Sequence, residues 1–177
     1  MDLSTSIRTV YYKKYADFKG RASRSEYWWA MGFYYAITFV IYFVGYSIYP
    51  EYLDVGFFEP TGIDTVADLF NLIVLIPMIA VTYRRLHDIN RSGWWFWLWL
   101  PPFIIWFFVA VYAMFVEIPP EVLFDETAVP DFWLLFNNNA FIVSLISWVL
   151  PMLYVSIYLP LKIGDKEANR FGEAPID

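Results

Sequence analysis

VADLFNLIVLIPMIAVTY, residues 66–83, runs directly into RRLHDINRSGWW, residues 84–95. The first part is apolar from Leu69 onward but short, since crossing the hydrocarbon takes about 20 apolar residues at about 1.5 Å each. Three other apolar blocks raise no such question: residues 27–49, 94–116 and 140–161. Whether 66–83 also crosses decides between three spans and four.

Charge settles the count. All twelve Lys and Arg residues fall in three segments: before residue 27, between 84 and 91, and after 161. The two remaining connections carry acids alone. Glu51, Asp54, Glu59, Asp64 and Asp68 lie in one, and Glu117, Glu121, Asp125, Glu126 and Asp131 in the other. Four spans place every basic residue on one side of the membrane, as the cytoplasmic enrichment of Lys and Arg requires. Three spans would put part of the basic set outside. The expected fold is therefore all-α, a single membrane domain over residues 1–177 with four spans and both termini cytoplasmic.

Composition agrees. Apolar residues make up 59% of the chain, aromatics 23% and charged residues 17%, against about a quarter charged in a soluble domain. The net charge of −6 would by itself suggest an acidic protein that avoids nucleic acid, but the average misleads because the two signs occupy different segments; no nucleic-acid partner is expected. With no cysteine, disulfides and thiolate metal sites are excluded, and one histidine makes a structural zinc untenable. The block 27–49 exceeds the about 7–15 apolar residues of a signal peptide and is read as a retained helix.

Local signals place the ends. Ser23 and Glu26 have the spacing of a capping box at the start of the first span. Trp94, Trp95, Trp97 and Trp99 crowd the start of the third, where aromatic belts form. Pro77, Pro101, Pro102 and Pro151 predict kinks and carbonyls that neighbours must satisfy. Upstream, Ile7, Val10, Tyr11, Tyr15 and Phe18 recur at roughly helical spacing between lysines. This predicts a short amphipathic helix at the inner leaflet. Both acidic connections are long enough for short interfacial helices.

Three basic–aromatic stretches remain: GRASRSEYWW at 20–29, RRLHDINRSGWW at 84–95 and NRFG at 169–172. In this order between apolar spans they resemble a bacterial inner-membrane family, domain of unknown function 805 (DUF805), the YhaH-like proteins. The resemblance extends from about Tyr15 to Pro175. The chain departs from the family pattern at its end, with Glu167 and then Glu173, Ala174 and Pro175. The resemblance implies a small protein of the bacterial inner membrane. It implies no activity and no cofactor.

The candidate site is the cluster those stretches supply: Arg21, Arg24, Glu26, Arg84, Arg85, His87, Asp88, Arg91, Asn169 and Arg170. Arg84 and Asp88 stand at i,i+4 on a helix, a spacing that allows a pair, and Glu26 and Asp17 are further acids within reach. One reading is an ion-pair network stapling the helix ends, with surplus Arg on lipid phosphate, which its planar fork grips well. The other is a binding site for a phosphorylated ligand, a lipid headgroup or a protein partner. Catalysis is disfavoured, because Asp88 beside His87 on a helix does not face it and no nucleophile or metal-ligand spacing accompanies it. The expected function is non-enzymatic: a membrane protein whose basic–aromatic cytoplasmic face binds anionic lipid and recruits a protein partner or a second copy. The alternative is a small transporter or channel subunit acting as an oligomer, against which stands the lack of charge within the spans.

The absence of cysteine makes the topology directly testable. In intact spheroplasts a membrane-impermeant maleimide should label Glu59→Cys and Asp125→Cys but spare Lys19→Cys and Lys166→Cys until the membrane is opened. The inverse pattern would overturn the assigned orientation.

Overall fold

The computed structural model describes residues 1–53, 61–118, 135 and 138–175. Helix α1 (Leu3–Arg8) continues into a π-helical turn, Thr9–Lys13, and is followed by α2 (Arg24–Ile48) and α3 (Gly62–Asp88). A 3₁₀ run, Gly93–Trp99, leads into α4 (Leu100–Glu117). Helix α5 (Asn139–Leu153) continues through a π-helical turn, Tyr154–Tyr158, to a last turn, α6 (Leu159–Leu161). Four stretches among the described residues are long and apolar enough to cross a membrane: Arg24–Ile48, Gly62–Asp88, Gly93–Glu117 and Asn139–Leu161. The protein is an all-α polytopic membrane protein, as its sequence pattern requires.

The marginal second span proves to be 27 residues long. Its start moves upstream of the apolar run because Thr61 and Asp64 form a full capping box, each side chain accepting from the other residue's amide. Its end moves downstream through a Schellman turn. Asn90, at φ 55°, donates to the His87 carbonyl while Arg91 donates to that of Leu86. At α2 the expected box is half made: Ser23 accepts from the Glu26 amide at 3.2 Å, but the Glu26 side chain turns to Arg84.

The acidic connections are only partly described. Of the connections 50–65 and 117–138, each expected to hold short interfacial helices, Pro50–Leu53 forms a 3₁₀ turn, and residues 54–60, 119–134 and 136–137 lie outside the described residues.

The chain divides into two compact units, Met1–Gly93 with Leu159–Asp177, and Trp94–Tyr158. In the first, α2 and α3 pack antiparallel. Val10, Ala22, Tyr27, Ala30 and Val81 form its fully buried core, with Tyr11, Trp28, Met31 and Met78 around them. Val10 and Tyr11 belong to the N-terminal helical segment, so its apolar face packs on α2 and α3, and the Tyr11 hydroxyl donates to the Ala30 carbonyl at 2.8 Å. Asp2 caps α1. Hydrogen bonds from the Thr5 hydroxyl and amide hold its carboxyl below the usual carboxylate range. Exposed apolar side chains, Tyr35, Phe39 and Phe43 on α2 and Leu69, Leu72 and Ile76 on α3, form the surface that meets lipid.

Proline shapes this unit at one point. Pro77 has no N–H to give the carbonyl of Ile73, four residues back, and the Tyr15 hydroxyl donates to that carbonyl instead. The amphipathic segment thus completes the ladder of a spanning helix. In the second unit, α4 and α5 pack antiparallel through Phe103, Trp106, Phe141 and Trp148, the two indoles stacked at 4.8 Å. Pro101 and Pro102 sit in the first turn of α4, where a missing N–H costs nothing, so they start the helix rather than kink it. Pro151 lies inside α5, just before the π-helical turn.

Tyr15→Phe should destabilise the protein by about 1 kcal/mol, the usual net worth of a hydrogen bond, in thermal unfolding of the detergent-solubilised chain. In the Pro77→Ala background the effect should vanish, because that substitution restores the helical N–H donor to the Ile73 carbonyl. An equal loss in both backgrounds would show that Tyr15 acts otherwise.

Candidate functional site

Three chain segments of the first unit meet where α2 begins and α3 ends. The polypeptide entering α2 is tied to α3 by the Ala22 amide, which donates to the Arg84 carbonyl at 3.0 Å. The segment after α6 is tied to the same helix end, the Asp165 amide donating to the Asp88 carbonyl at 2.9 Å. Between these ties lies a set of buried charges. Arg84 is fully buried and Arg85 and Asp88 nearly so, as are Arg21 and Glu26.

Asp88 is the shared anion. Arg21 reaches its Oδ1 through Nε at 3.0 Å and Nη2 at 2.8 Å, while Arg85 pairs with its Oδ2 through Nη1. Two guanidinium groups around one carboxylate leave a positive surplus, and backbone carbonyls absorb it. Arg21 Nη1 donates to the Glu167 carbonyl at 2.7 Å and the Gly172 carbonyl at 3.3 Å, and its Nη2 donates to that of Asp165. Arg85 donates through Nε to the Pro160 carbonyl at 3.0 Å, and further to those of Ala22 and Lys162. The forked donor geometry of Arg lets one side chain bridge a carboxylate and several carbonyls, which a Lys could not do.

Arg84 does not take part in that set. It points across to α2 and pairs with Glu26 through Nη1, while its Nε and Nη2 have no partner among the described residues. The i,i+4 pair expected between Arg84 and Asp88 is therefore not formed. Asp88 pairs instead with Arg85 at i,i+3 and with Arg21 across the chain, because Glu26 claims Arg84 from the opposite helix. Asp17 stays local, accepting from the Lys19 amide at 3.0 Å.

His87 serves as a docking platform. Its Nδ1–H donates to the Gly20 carbonyl at 3.1 Å, and its ring stacks on Phe171 with centroids 3.9 Å apart. The NRFG stretch supplies that partner through a tight turn, in which Asn169 and Gly172 exchange backbone hydrogen bonds at 3.0 and 2.9 Å. Gly172 adopts φ 128° there, a conformation that favours glycine. Asn169 Nδ2 bridges the His87 carbonyl and Asp165 Oδ2, both at 3.0 Å. Arg170 donates to the Asn90 carbonyl at 3.2 Å and lies over the Phe171 ring at 4.7 Å. Neither Ser nor Cys stands beside His87 in these contacts, and both its ring face and Nδ1 are taken by structural partners.

Arg21, Glu26, Arg84, Arg85, His87, Asp88, Asn169 and Arg170 thus converge, Arg91 closes the α3 turn, and Arg24 lies exposed at the first turn of α2. Gly164 is the participant that sequence reading missed. A Cβ there would fall on the Asp88 carboxylate, so the backbone passes against the shared anion with no room for a side chain.

The chain matches the family described as "Protein of unknown function (DUF805)" over residues 15–121. The chain belongs to the DUF805 family. It is 34% identical to the inner membrane protein YhaH of Escherichia coli strain K12 over 109 residues, covering 62% of this chain and 84% of that protein. It is 36% identical to the inner membrane protein YhaI of the same strain over 100 residues, covering 56% of this chain and 75% of that one. No solved structure matches it. The family match takes in both stretches that supply the paired charges, at 20–29 and 84–95, and ends before NRFG.

Removing one partner of a buried ion pair costs about 3–5 kcal/mol, so Asp88→Asn should unfold or strongly destabilise the chain. Gly164→Ala should cost about 1–3 kcal/mol by overpacking against a pinned carboxylate. Chemical or thermal unfolding in detergent measures both; a neutral Gly164→Ala would contradict the close approach.

Proposed function

We propose that this chain is a non-enzymatic integral protein of the bacterial inner membrane. In this reading its basic pole faces the cytoplasm, binds anionic lipid and offers a docking face for a protein partner. The observation that carries the reading is a division of labour among the cations. The deepest, Arg21, Arg84 and Arg85, are buried with carboxylates and carbonyls, which fits a structural staple. A second set, Lys13, Lys19, Arg24 and Lys166, is exposed in the same unit, and their side chains have no ion-pair partner among the described residues. Flexible unpaired cations at a membrane-flanking pole attract anionic headgroups by about 1 kcal/mol each near the surface.

The non-enzymatic part is supported by the engagement of His87 with Gly20 and Phe171, which leaves it in a packing role. The uncharacterised family adds no activity to weigh against this.

The test must spare the staple, since a change at Arg85 would break folding and binding together. The variant Lys13→Gln/Lys19→Gln/Arg24→Gln/Lys166→Gln is purified from bacterial membranes beside the wild type, and co-purifying lipids and proteins are identified by mass spectrometry. Enrichment of anionic lipid in the wild type, lost in an equally folded variant, is the expected result. Equal lipid profiles would overturn the reading.

A further inference from the structure

At the basic pole a cavity of about 320 Å³ opens between the first turn of α2, the end of α3 and the segment after α6. Ser23 and Arg24 line it from α2, Arg85 and Asp88 from α3, and Gly164 and Lys166 from the returning segment. Its size falls in the range of small-ligand sites, about 300–1,000 Å³.

The charge balance of its wall is uneven. Asp88 is neutralised by Arg21 and Arg85. Asp165, which also lines the cavity, accepts from Asn169 Nδ2 through Oδ2. Asp88 is therefore held by its own cations, while Asp165 stays an anion on the wall next to Lys166. Arg24 and Lys166 are exposed and have no side-chain partner among the described residues. The wall thus carries Arg24 and Lys166 against one unneutralised carboxylate, Asp165, over a floor where Asp88 is paired with two guanidinium groups, which leaves the cations in excess. Behind them the 25-residue α2 presents its positive dipole end, which adds to the same field. An anion entering this cavity meets a guanidinium, an ammonium and the Ser23 wall without displacing an existing ion pair.

We propose that this cavity binds a phosphate group, held between Arg24 and Lys166. The inference rests on the reading of the basic pole as an anion-facing surface and narrows it to one site. The phosphate can come from an anionic phospholipid headgroup or from soluble phosphate, and these sources are separated by experiment. Arg24 is the better placed to grip two phosphate oxygens, Lys166 to supply a mobile point charge.

The full chain is reconstituted in phosphatidylcholine nanodiscs with and without phosphatidylglycerol, and retained lipid is counted by native mass spectrometry. Inorganic phosphate is titrated in parallel by thermal shift against chloride of equal ionic strength. Arg24→Gln/Lys166→Gln is compared with Lys13→Gln/Lys19→Gln, which removes the same charge elsewhere in the same unit. Loss of two charge-assisted contacts predicts a fall in affinity of about tenfold or more for the first pair and little change for the second. That pattern for phosphatidylglycerol supports the site with a lipid source; the same pattern for phosphate alone supports it with a soluble source and removes the lipid reading. Phosphatidylglycerol retained equally by both variants overturns the site while leaving the anion-facing pole intact. Neither probe binding the wild type overturns both.

Discussion

Asp88 holds the basic pole together because it is a buried anion at the meeting point of three chain segments. Taking a carboxylate out of water is costly, and this one is compensated by Arg21 from the α2 approach and Arg85 from its own helix. The two guanidinium groups exceed it in charge, so they in turn need acceptors. Those are backbone carbonyls at Ala22, Pro160, Lys162, Asp165, Glu167 and Gly172. The requirement to satisfy every donor pulls the chain after α6 across the end of α3. Gly164 permits that approach, and the His87–Phe171 stack fixes its far end.

Much of this architecture is legible in the residues. The spans follow from apolar length, their number from the placement of twelve basic residues, and the partners Glu26 and Asp88 from being acids amid basic stretches. The specific pairing is not legible. On a helix Asp88 is within reach of both Arg84 and Arg85, and only the position of Glu26 on α2 decides which of them is free to take it. The role of the C-terminal segment is hidden for a different reason: it contributes mostly carbonyl oxygens, which every residue type possesses. The amphipathic N-terminal stretch shows a third limit. A stripe such as Ile7, Val10 and Tyr11 has the same periodicity whether it faces lipid or protein, and the Tyr15 contact to Ile73 depends on a proline far along the sequence.

Boundaries are hardest to read where polar residues extend a helix. Asp64 lies outside the apolar run of 66–83, yet with Thr61 it satisfies the first amides of α3 and carries the helix upstream. Asn90 does the corresponding work at the other end by adopting a left-handed conformation that asparagine tolerates better than most residues. Both signals are local and chemical. Hydropathy alone does not register them.

The Glu26–Arg84 pair shows what the network is suited to do. An apolar pair of similar volume would satisfy the α2–α3 contact without leaving Arg84 Nε and Nη2 unpartnered, so maximal stability is a poor account of it. Geometry is a better one. In a bilayer, apolar helices slide and rotate with little penalty because lipid solvates every apolar face equally well. A charge on α3 that finds its counter-charge only on α2 fixes register and rotation together, and Asp88 does the same for the segments that flank them. With the helix ends so fixed, Arg24 and Lys166 line one cavity despite lying far apart in sequence. The buried charges thereby determine where the exposed ones stand, and a change that loosens the first set necessarily moves the second.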